Sequence, residues 1–222
     1  MSTTRPKVYV INLDRSPERL NDFVQSFGAV GLEIVRVPAV DGSEITLPHP
    51  DYNERKHQLY QGETTGMGVV GCYFSHIKAL RQFLESDEET SLICEDDVSA
   101  KPELPQILDN LLVLKKHWDF VRLGGLRAPS MRIGPWACSM YVPIRKLGNG
   151  YRLSVPVYYV PSAAAYLINR KAAEKMVACL LPMSLPYDYA FEQNWRMKLT
   201  AMMTVPYPIV LNEHNSRSEI VL

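Results

Sequence analysis

The sequence predicts an α/β fold, a single domain over residues 1–222 with a mostly parallel central sheet flanked by helices. The main observation is that strand-like and helix-like patterns alternate along the chain, which is typical of a parallel sheet with helices on both faces. A second observation is that 46% of the 222 residues are hydrophobic and 22% are charged, close to the average of globular proteins. A chain of this length and composition can bury a sizeable core.

Composition and charge also exclude several classes of protein. The 24 lysines and arginines balance the 24 aspartates and glutamates, so no overall basic field for nucleic acid is expected. No apolar run reaches the roughly 18 residues of a membrane span. The N-terminus leads almost directly into a strand-like segment, which predicts no secretory signal. The four cysteines lie far apart and are interpreted as reduced thiols of a cytoplasmic chain.

The first forty residues predict a β-α-β unit. Residues 7–13 form an apolar, β-rich run typical of a buried strand. Ser16 is placed as the N-cap of a helix and Pro17 as its first residue, and an apolar stripe follows before Gly28 ends the helix. A second strand is predicted over residues 32–40, and Asp41 and Gly42 follow directly after it.

The remaining elements alternate in the same way, apart from two irregular regions. Periodicity disappears over residues 43–68 and again over 126–150, and loops of this length are usually functional or mobile. Helices are predicted at 73–84, 104–114, 170–181 and 188–199, and strands at 91–94, 119–123, 151–160, 164–168 and 202–205.

Ligands of open α/β sheets bind beyond the carboxyl ends of the strands, which directs attention to residues 12–15, 41–42, 95–97 and 124–125. In the acidic triplet 95–97, strand geometry would direct Glu95 and Asp97 to one side and Asp96 to the other. Two converging carboxylates repel each other unless a cation joins them, and oxygen ligands suit Mg²⁺ or Mn²⁺. The alternative is a solvated acidic turn in which Asp97 or Ser99 caps the helix after Pro102.

Other candidates have equally simple structural alternatives. Residues 71–76 would open a helix whose free N–H groups could bind a diphosphate, or Ser75 and His76 could merely cap that helix. Asp14, Arg15 and Arg19 could contact a base or a phosphate, or could form a cap and salt bridges at a helix start.

Two further candidates lie in the C-terminal part of the chain. Asp188 could be a general base for a hydroxyl group, or the N-cap of the helix that it precedes. His214 could be a third metal ligand, or an ordinary surface histidine.

Taken together, these segments resemble glycosyltransferase family 25, which contains the lipooligosaccharide galactosyltransferases of Gram-negative bacteria and the collagen galactosyltransferases. Seven motifs occur in the family's order across nearly the whole chain. They occupy residues 10–20, 38–42, 71–76, 93–98, 165–173, 186–188 and 218–220.

The resemblance implies a GT-A-like fold and an inverting, metal-dependent transfer of galactose from UDP-galactose. The acceptor would be a glycan of lipooligosaccharide or lipopolysaccharide, the product a β-linkage, and the cation Mn²⁺ or Mg²⁺. A lipid-linked acceptor would place the chain at the cytoplasmic face of the inner membrane. The resemblance implies that Asp97 and Glu95 are metal ligands. Asp188 as the base and His214 as an optional further metal ligand are our own inference beside the resemblance. The implied donor-binding residues are Asn12, Leu13, Asp14, Arg15, Asp41, Ser75, His76, Glu95 and Asp96.

One departure from the family pattern keeps a second function open. Val69 stands where members commonly have a glutamate, two residues before the start of the motif at residues 71–76. A non-catalytic sugar-nucleotide-binding or assembly protein is therefore the alternative. A metal-dependent phosphotransferase is disfavoured because the chain has no Walker-type loop.

Overall fold

The computed structural model describes residues 5–125, 130–133, 136–139, 141–157, 159–160 and 162–212. His214 lies outside these residues. The helices are α1 Pro17–Ala29, α2 Glu54–Gln61, α3 Met67–Leu84, α4 Leu104–Val113, α5 Arg170–Cys179 and α6 Tyr187–Glu192. The strands are β1 Val8–Asn12, β2 Ile34–Pro38, β3 Thr90–Glu95, β4 Val98–Ala100, β5 Phe120–Gly124, β6 Ser130–Ile133, β7 Trp136–Ser139, β8 Tyr141–Gly148, β9 Tyr151–Pro156, β10 Ala165–Asn169, β11 Ala201–Val205 and β12 Ile209–Leu211.

The large sheet of the described residues has eight strands in the order β2-β1-β3-β10-β5-β11-β9-β8. Strand β1 is parallel to β2 and β3, and β5 is parallel to β11. Strand β10 is antiparallel to both β3 and β5, and β9 is antiparallel to both β11 and β8. Within this eight-stranded sheet, all strands except β9 and β10 therefore run in one direction, which confirms the mostly parallel sheet.

Helices cover both faces of this sheet because the central strands are apolar on both sides. Along β1, Tyr9 and Ile11 pack into the core that includes α3, α5 and α6. The alternate residues Val8 and Val10 pack into the opposite core, which includes α1 and α4. This two-sided burial explains the continuous apolar run of β1, since successive side chains of a strand point to opposite faces.

The two regions predicted to be irregular contain regular elements. Helix α2 lies within 43–68, between the Asn53 side chain, which accepts a hydrogen bond from the Lys56 N–H, and Gly62 in the left-handed conformation. The prediction missed α2 because His57 is its one buried residue, so the helix has no apolar stripe. Strands β6, β7 and β8 lie within 126–150. The helix predicted at 188–199 ends at Glu192 instead.

A close backbone contact positions the segment that follows β2. A Cβ atom on Gly71 of α3 would lie 2.7 Å from both the Val40 carbonyl oxygen and the Gly42 nitrogen. Only a residue without a side chain allows α3 to approach the chain at Val40–Gly42 this closely. The contact therefore determines where Asp41, a predicted nucleotide contact, lies.

We expect Gly71→Ala to lower the free energy of unfolding by about 2–3 kcal/mol, because backbone atoms on both sides cannot move aside easily. Gly28→Ala is the matched control, since nothing lies within 4 Å of its added methyl group. It should raise stability by about 0.5–1 kcal/mol, the usual gain in helix propensity. Denaturant titrations of the two variants measure the difference, and equal effects would show that the contact is loose.

Candidate active site

The predicted residues meet at one edge of the sheet because the adjacent parallel strands β1 and β3 end there. Ile11 pairs with Glu95, so Asn12 and Asp96 leave the sheet side by side. The reversed strand β10 begins at the same edge, where Ala165 pairs with Cys94. The edge thus gathers residues 12–15, 95–97 and 162–164 from distant parts of the chain.

The side chain of Asn12 forms hydrogen bonds that connect several segments at this edge. Its amide nitrogen donates to Asp96 Oδ2 at 2.7 Å and to the Ser16 carbonyl at 2.9 Å, and its Oδ1 accepts from Arg36 Nε at 3.0 Å. The side chain is fully buried, so it fixes the loop over residues 12–15. In that loop Leu13 is half-buried, and Asp14, which is exposed, pairs with Arg36.

Strand geometry correctly predicts that Glu95 and Asp96 lie on different sides, but β3 ends at Glu95, so the predicted alternation does not extend to Asp97. Glu95 faces α3, whereas Asp96 contacts Asn12 and lies 2.7 Å from an Arg19 nitrogen. The same nitrogen lies 3.4 Å from Asp97 Oδ2. The capping alternative for Asp97 and Ser99 is wrong, since the N-cap residue of α4 is Glu103 and no side chain caps that helix.

The electrostatics of Glu95 and Asp97 favour a divalent cation. Burial, followed by the charge of Asp96, raises the pKa of Glu95 to about 7, although Arg19 opposes the shift. Burial and the charge of Glu95 raise the pKa of Asp97 to about 6, again against Arg19. Asp97 Oδ1 is buried and has no hydrogen-bond partner among the described residues. A buried, unpartnered carboxylate oxygen beside a second carboxylate suits a hard cation such as Mn²⁺ or Mg²⁺.

His76 is held on three sides next to Glu95. Its Nε2 lies 3.2 Å from Glu95 Oε1 and its Nδ1 lies 3.3 Å from the Tyr166 hydroxyl. Its ring stacks on Tyr187 with centroids 4.0 Å apart. Burial lowers the pKa of His76 to about 4, so the imidazole is neutral at pH 7.

The interpretation of residues 71–76 as a helix start is wrong, because α3 already begins at Met67. Ser75 and His76 therefore lie inside the helix and offer no free N–H groups. The Ser75 hydroxyl donates to the Gly71 carbonyl and accepts from the Val40 N–H, which ties α3 to the segment after β2. A contact of either residue with a donor stays a prediction.

Asp188 joins Glu95 and His76 from the other half of the chain. The N-cap alternative is wrong, because α6 has Pro186 at that position and Asp188 in its first turn. Its two carboxylate oxygens accept hydrogen bonds from the Ser162 and Ala163 N–H groups, each at 3.1 Å. Burial and the charge of Glu95 raise the pKa of Asp188, while His76 and the two N–H groups lower it.

Asp41 lies at the rim of a separate cavity. It pairs with Arg15, and its Oδ1 accepts from the Ser43 N–H at 2.9 Å. The cavity holds about 640 Å³ and includes Phe74 and Lys78 of α3 in its wall. These residues lie roughly opposite His76 around the helix, given about 100° of rotation per residue. Asp41 and the acidic cluster thus lie on different sides of α3.

Sequence reasoning missed two aromatic members of the site, Tyr166 and Tyr187. Their hydroxyls lie 3.0 Å apart, and Tyr166 lies next to His76, which is 90 positions earlier in the chain. Within their own segments both residues follow the apolar pattern of a core. No spacing signal distinguishes them, since tertiary packing brings them to the site: Tyr166 through the pairing of β10 with β3, and Tyr187 at the start of α6.

We expect Glu95→Gln to raise the stability of the metal-free protein, and to do so more at pH 8 than at pH 4. A carboxyl group whose pKa is raised on folding stabilises the protein below its unfolded pKa, and this stabilisation is lost as the pH rises through its folded value, about 7. The gain at pH 8 should be on the order of 2 kcal/mol, allowing for the partial exposure of the group. Thermal melts of both proteins in chelator measure this gain, and a pH-independent difference would contradict the raised pKa.

Among the described residues, no helix combines the length and the hydropathy that a membrane span requires.

The chain is similar in sequence to known glycosyltransferases. A family model described as glycosyltransferase family 25 (LPS biosynthesis protein) matches residues 5–191. Procollagen galactosyltransferase 2 of Homo sapiens is 24% identical over 184 residues, which cover 77% of this chain and 27% of that protein. The inactive glycosyltransferase 25 family member 3 of Mus musculus is 29% identical over 131 residues, 53% of this chain and 22% of that protein. The chain thus spans less than a third of the length of these two relatives.

The fold has a counterpart among solved structures. The crystal structure of S. aureus TarS 1–349 matches with a TM-score of 0.51 and 15% identity, covering 94% of this chain and 60% of that one. This likeness shows a shared fold, and the predicted GT-A-like α/β fold class is confirmed.

Proposed function

This chain belongs to glycosyltransferase family 25, and on that basis we propose that it transfers galactose from UDP-galactose to a glycan of lipooligosaccharide or lipopolysaccharide. The transfer inverts the anomeric centre and forms a β-linkage. The observation that supports this function most directly is the convergence of Glu95, Asp97 and Asp188 at the carboxyl edge of a GT-A-like sheet.

The cation-binding part of the proposal rests on Asp97 and Glu95. The buried, unpartnered Oδ1 of Asp97 and the raised pKa values of both carboxyl groups support a shared Mn²⁺ or Mg²⁺. A bound cation would supply electrostatic stabilisation of the negative charge that develops on the leaving diphosphate. Arg19 limits the movement of Asp97, because it lies 3.4 Å from one carboxylate oxygen.

Donor orientation is assigned to the loop over residues 12–15 together with Asp41. The buried Asn12 holds this loop against the acidic triplet, and Arg15 pairs with Asp41 across the two strand ends. These contacts give the nucleotide a binding surface that is already formed before the donor arrives, which reduces the ordering cost of binding.

Asp188 is the proposed base, which removes the proton of the acceptor hydroxyl as the new bond forms. The Ser162 and Ala163 N–H groups fix both carboxylate oxygens, yet each oxygen can accept a further hydrogen bond. The raised pKa makes this carboxylate a stronger base than an exposed one. Attack from the side opposite the leaving diphosphate then inverts the anomeric carbon.

The neighbouring Tyr189 is suited to bind the acceptor. It is exposed, directly follows Asp188, and stacks on Tyr159 with ring centroids 5.2 Å apart. An aromatic face held rigidly beside a base offers a flat apolar surface to a sugar ring, with little loss of side-chain entropy.

We therefore expect Tyr189→Ala to raise the acceptor KM about tenfold, equivalent to about 1.4 kcal/mol of binding, and to leave donor affinity unchanged. Tyr60→Ala is the matched control, since Tyr60 is a similarly exposed tyrosine on α2. Initial rates at varied acceptor concentration measure the effect. An unchanged acceptor KM, or the same change in Tyr60→Ala, would remove Tyr189 from acceptor binding.

A thermal-shift series tests the donor class. The ligands are UDP, UDP-galactose, UDP-glucose, UDP-N-acetylglucosamine and GDP-mannose, each with and without Mn²⁺. A ligand that binds only the folded state raises the melting temperature, and the rise grows with the ratio of the ligand concentration to its dissociation constant. We expect manganese-dependent shifts with uridine compounds alone, the largest with UDP-galactose; no shift with any of them would contradict the proposal.

The second candidate function is a non-catalytic sugar-nucleotide-binding or assembly protein. Val69, half-buried in α3, replaces the glutamate common in the family, and one relative of similar sequence is described as inactive. Tight UDP binding without sugar transfer and without slow donor hydrolysis would favour this candidate.

The proposed acceptor also suggests where the protein works. A lipid-linked glycan as substrate implies a cytoplasmic chain that meets its acceptor at the cytoplasmic face of the inner membrane. A vesicle-flotation assay with and without lipid-linked acceptor tests this, and equal flotation in both would contradict acceptor-directed association.

A further inference from the structure

A second set of metal-ligating side chains lies beside the proposed cation site. Cys72 Sγ, a ring nitrogen of His76 and a carboxylate oxygen of Glu95 all lie within 4.8 Å of one another. The Sγ atom is 4.0 Å from Glu95 Oε1, and His76 Nε2 is 3.2 Å from the same oxygen. The three ligand atoms are thus close to the spacing of ligands around one small ion.

The fold presents these groups in a fixed arrangement. Cys72 and His76 are four residues apart in α3, so their side chains lie on one face of the helix. Glu95 reaches the same point from the end of β3. Cys72 and Glu95 are half-buried and therefore accessible to an ion from solvent, whereas His76 is fully buried.

The surroundings of His76 resemble those of a metal-binding histidine. Such a residue usually donates its other ring N–H to an outer partner, which fixes the tautomer and the ring orientation. The Tyr166 hydroxyl lies 3.3 Å from Nδ1, and the Tyr187 ring stacks on the imidazole. With the proton on Nδ1, the Nε2 lone pair faces Glu95 and the neighbouring thiol.

The ligand set indicates which ion would bind. A thiolate, an imidazole and a carboxylate suit zinc, whereas Mn²⁺ and Mg²⁺ prefer oxygen ligands alone. Three protein ligands with a fourth position open to water is the arrangement common in accessible zinc sites. On binding, the Cys72 thiol releases its proton to solvent and the sulfur becomes the ligand.

We propose that Cys72, His76 and Glu95 form a zinc-binding site, in which zinc withdraws Glu95 from the manganese site that it forms with Asp97. Zinc binding follows from these three residues alone. The consequence, inhibition by zinc, rests on the proposed function. The two parts are therefore tested by separate measurements.

Zinc binding is tested with Co²⁺ as a spectroscopic substitute, using the full chain without metal or sugar nucleotide. We expect a sulfur-to-cobalt charge-transfer band in the near ultraviolet, which one equivalent of Zn²⁺ removes. Cys72→Ser should lack the band, and Cys179→Ser should keep it because Cys179 is exposed on α5. Tyr166→Phe should weaken zinc affinity about tenfold, the usual effect of losing an outer partner. A wild-type protein without the band, or an unchanged band in Cys72→Ser, would overturn the site.

A second measurement uses only the wild-type protein, so its result does not depend on whether Cys72→Ser folds. Zinc should slow alkylation of Cys72 in the wild-type protein and leave that of Cys179 unchanged, as resolved by peptide mass spectrometry. Equal alkylation rates of Cys72 with and without zinc would contradict the site.

Inhibition is tested by adding zinc to the manganese-dependent shift with UDP. Zinc should reduce this shift in the wild-type protein and not in Cys72→Ser. If no UDP shift occurs in either protein while the cobalt band is present, the proposed function fails and the zinc site stands. If the UDP shift occurs without any cobalt band, the zinc site fails and the proposed function stands.

Discussion

Asp97→Asn is expected to abolish the manganese-dependent stabilisation by UDP and to lower kcat by about 10²–10³-fold. The variant removes one negative charge from the pair that would hold the cation, and with it the electrostatic stabilisation of the leaving diphosphate. An asparagine oxygen can still ligate, but it does not balance the charge of a divalent ion. Thermal shift with UDP and Mn²⁺, followed by transfer rates at saturating donor, measures both effects.

The fold of this variant should remain intact, which makes a loss of activity interpretable. The pKa of Asp97 is raised to about 6 chiefly by burial, so its charge is unfavourable in the metal-free protein at pH 7. The neutral asparagine should therefore melt at the same or a higher temperature. Asp109→Asn is the matched control, because it breaks only the exposed pair with Arg5, worth at most about 1 kcal/mol. Retention of both donor binding and turnover in Asp97→Asn would disprove the metal assignment.

Asp188→Asn is expected to lower kcat by about 10²–10⁴-fold, the usual contribution of a general base, with donor affinity nearly unchanged. The amide cannot accept the proton of the acceptor hydroxyl. Donor affinity should persist because the nucleotide contacts are assigned to residues 12–15 and Asp41. Donor titration by thermal shift and transfer rates measured on the same preparation separate the two effects.

Asp188→Asn is also expected to lower the stability of the protein, which must be measured together with its activity. The new NH₂ group faces either the Ser162 or the Ala163 N–H, so one backbone donor loses its acceptor. The cost is about 1–3 kcal/mol of stability. Ser162→Ala serves as the stability control, since it removes the hydroxyl contact with the Ala164 N–H and leaves Asp188 in place. Equal losses of donor binding and transfer in Asp188→Asn would exclude the base role.

The pH dependence of transfer follows from the same group. A general base is active only when deprotonated, so the rate at saturating donor should rise with pH through the pKa of Asp188. That pKa is raised by burial and by Glu95, so the rise should lie at higher pH than for an exposed aspartate. A rate profile over pH 4–9 in the wild-type protein measures the position of this rise, and a flat profile would contradict proton removal by a carboxylate.

The sequence by itself determined the alternating architecture and the edge of the sheet at which to look. Apolar runs such as Val8–Asn12, and the apolar stripe of α1, arise because these elements are buried against their neighbours. Local sequence patterns are therefore enough to detect them. The predicted strands also locate their own carboxyl ends, and Asn12, Asp41 and the acidic triplet lie at those ends. Helix α2 escaped detection because a helix with one buried residue leaves no periodic signal.

Only the tertiary structure decided which of the polar side chains face each other. Glu95 and Asp96 are adjacent in the chain, yet one contacts His76 and the other contacts Asn12 and Arg19. Asp188, which could equally have been a helix cap, instead receives two backbone N–H groups from the segment before β10. The pairing of β10 with β3 joins residues 71–79 positions apart, from Ala165 with Cys94 to Asn169 with Thr90, and no local propensity encodes such a contact. The pKa values that distinguish a cation site from an acidic turn arise from burial by these distant residues, and so they could be obtained only from the folded chain.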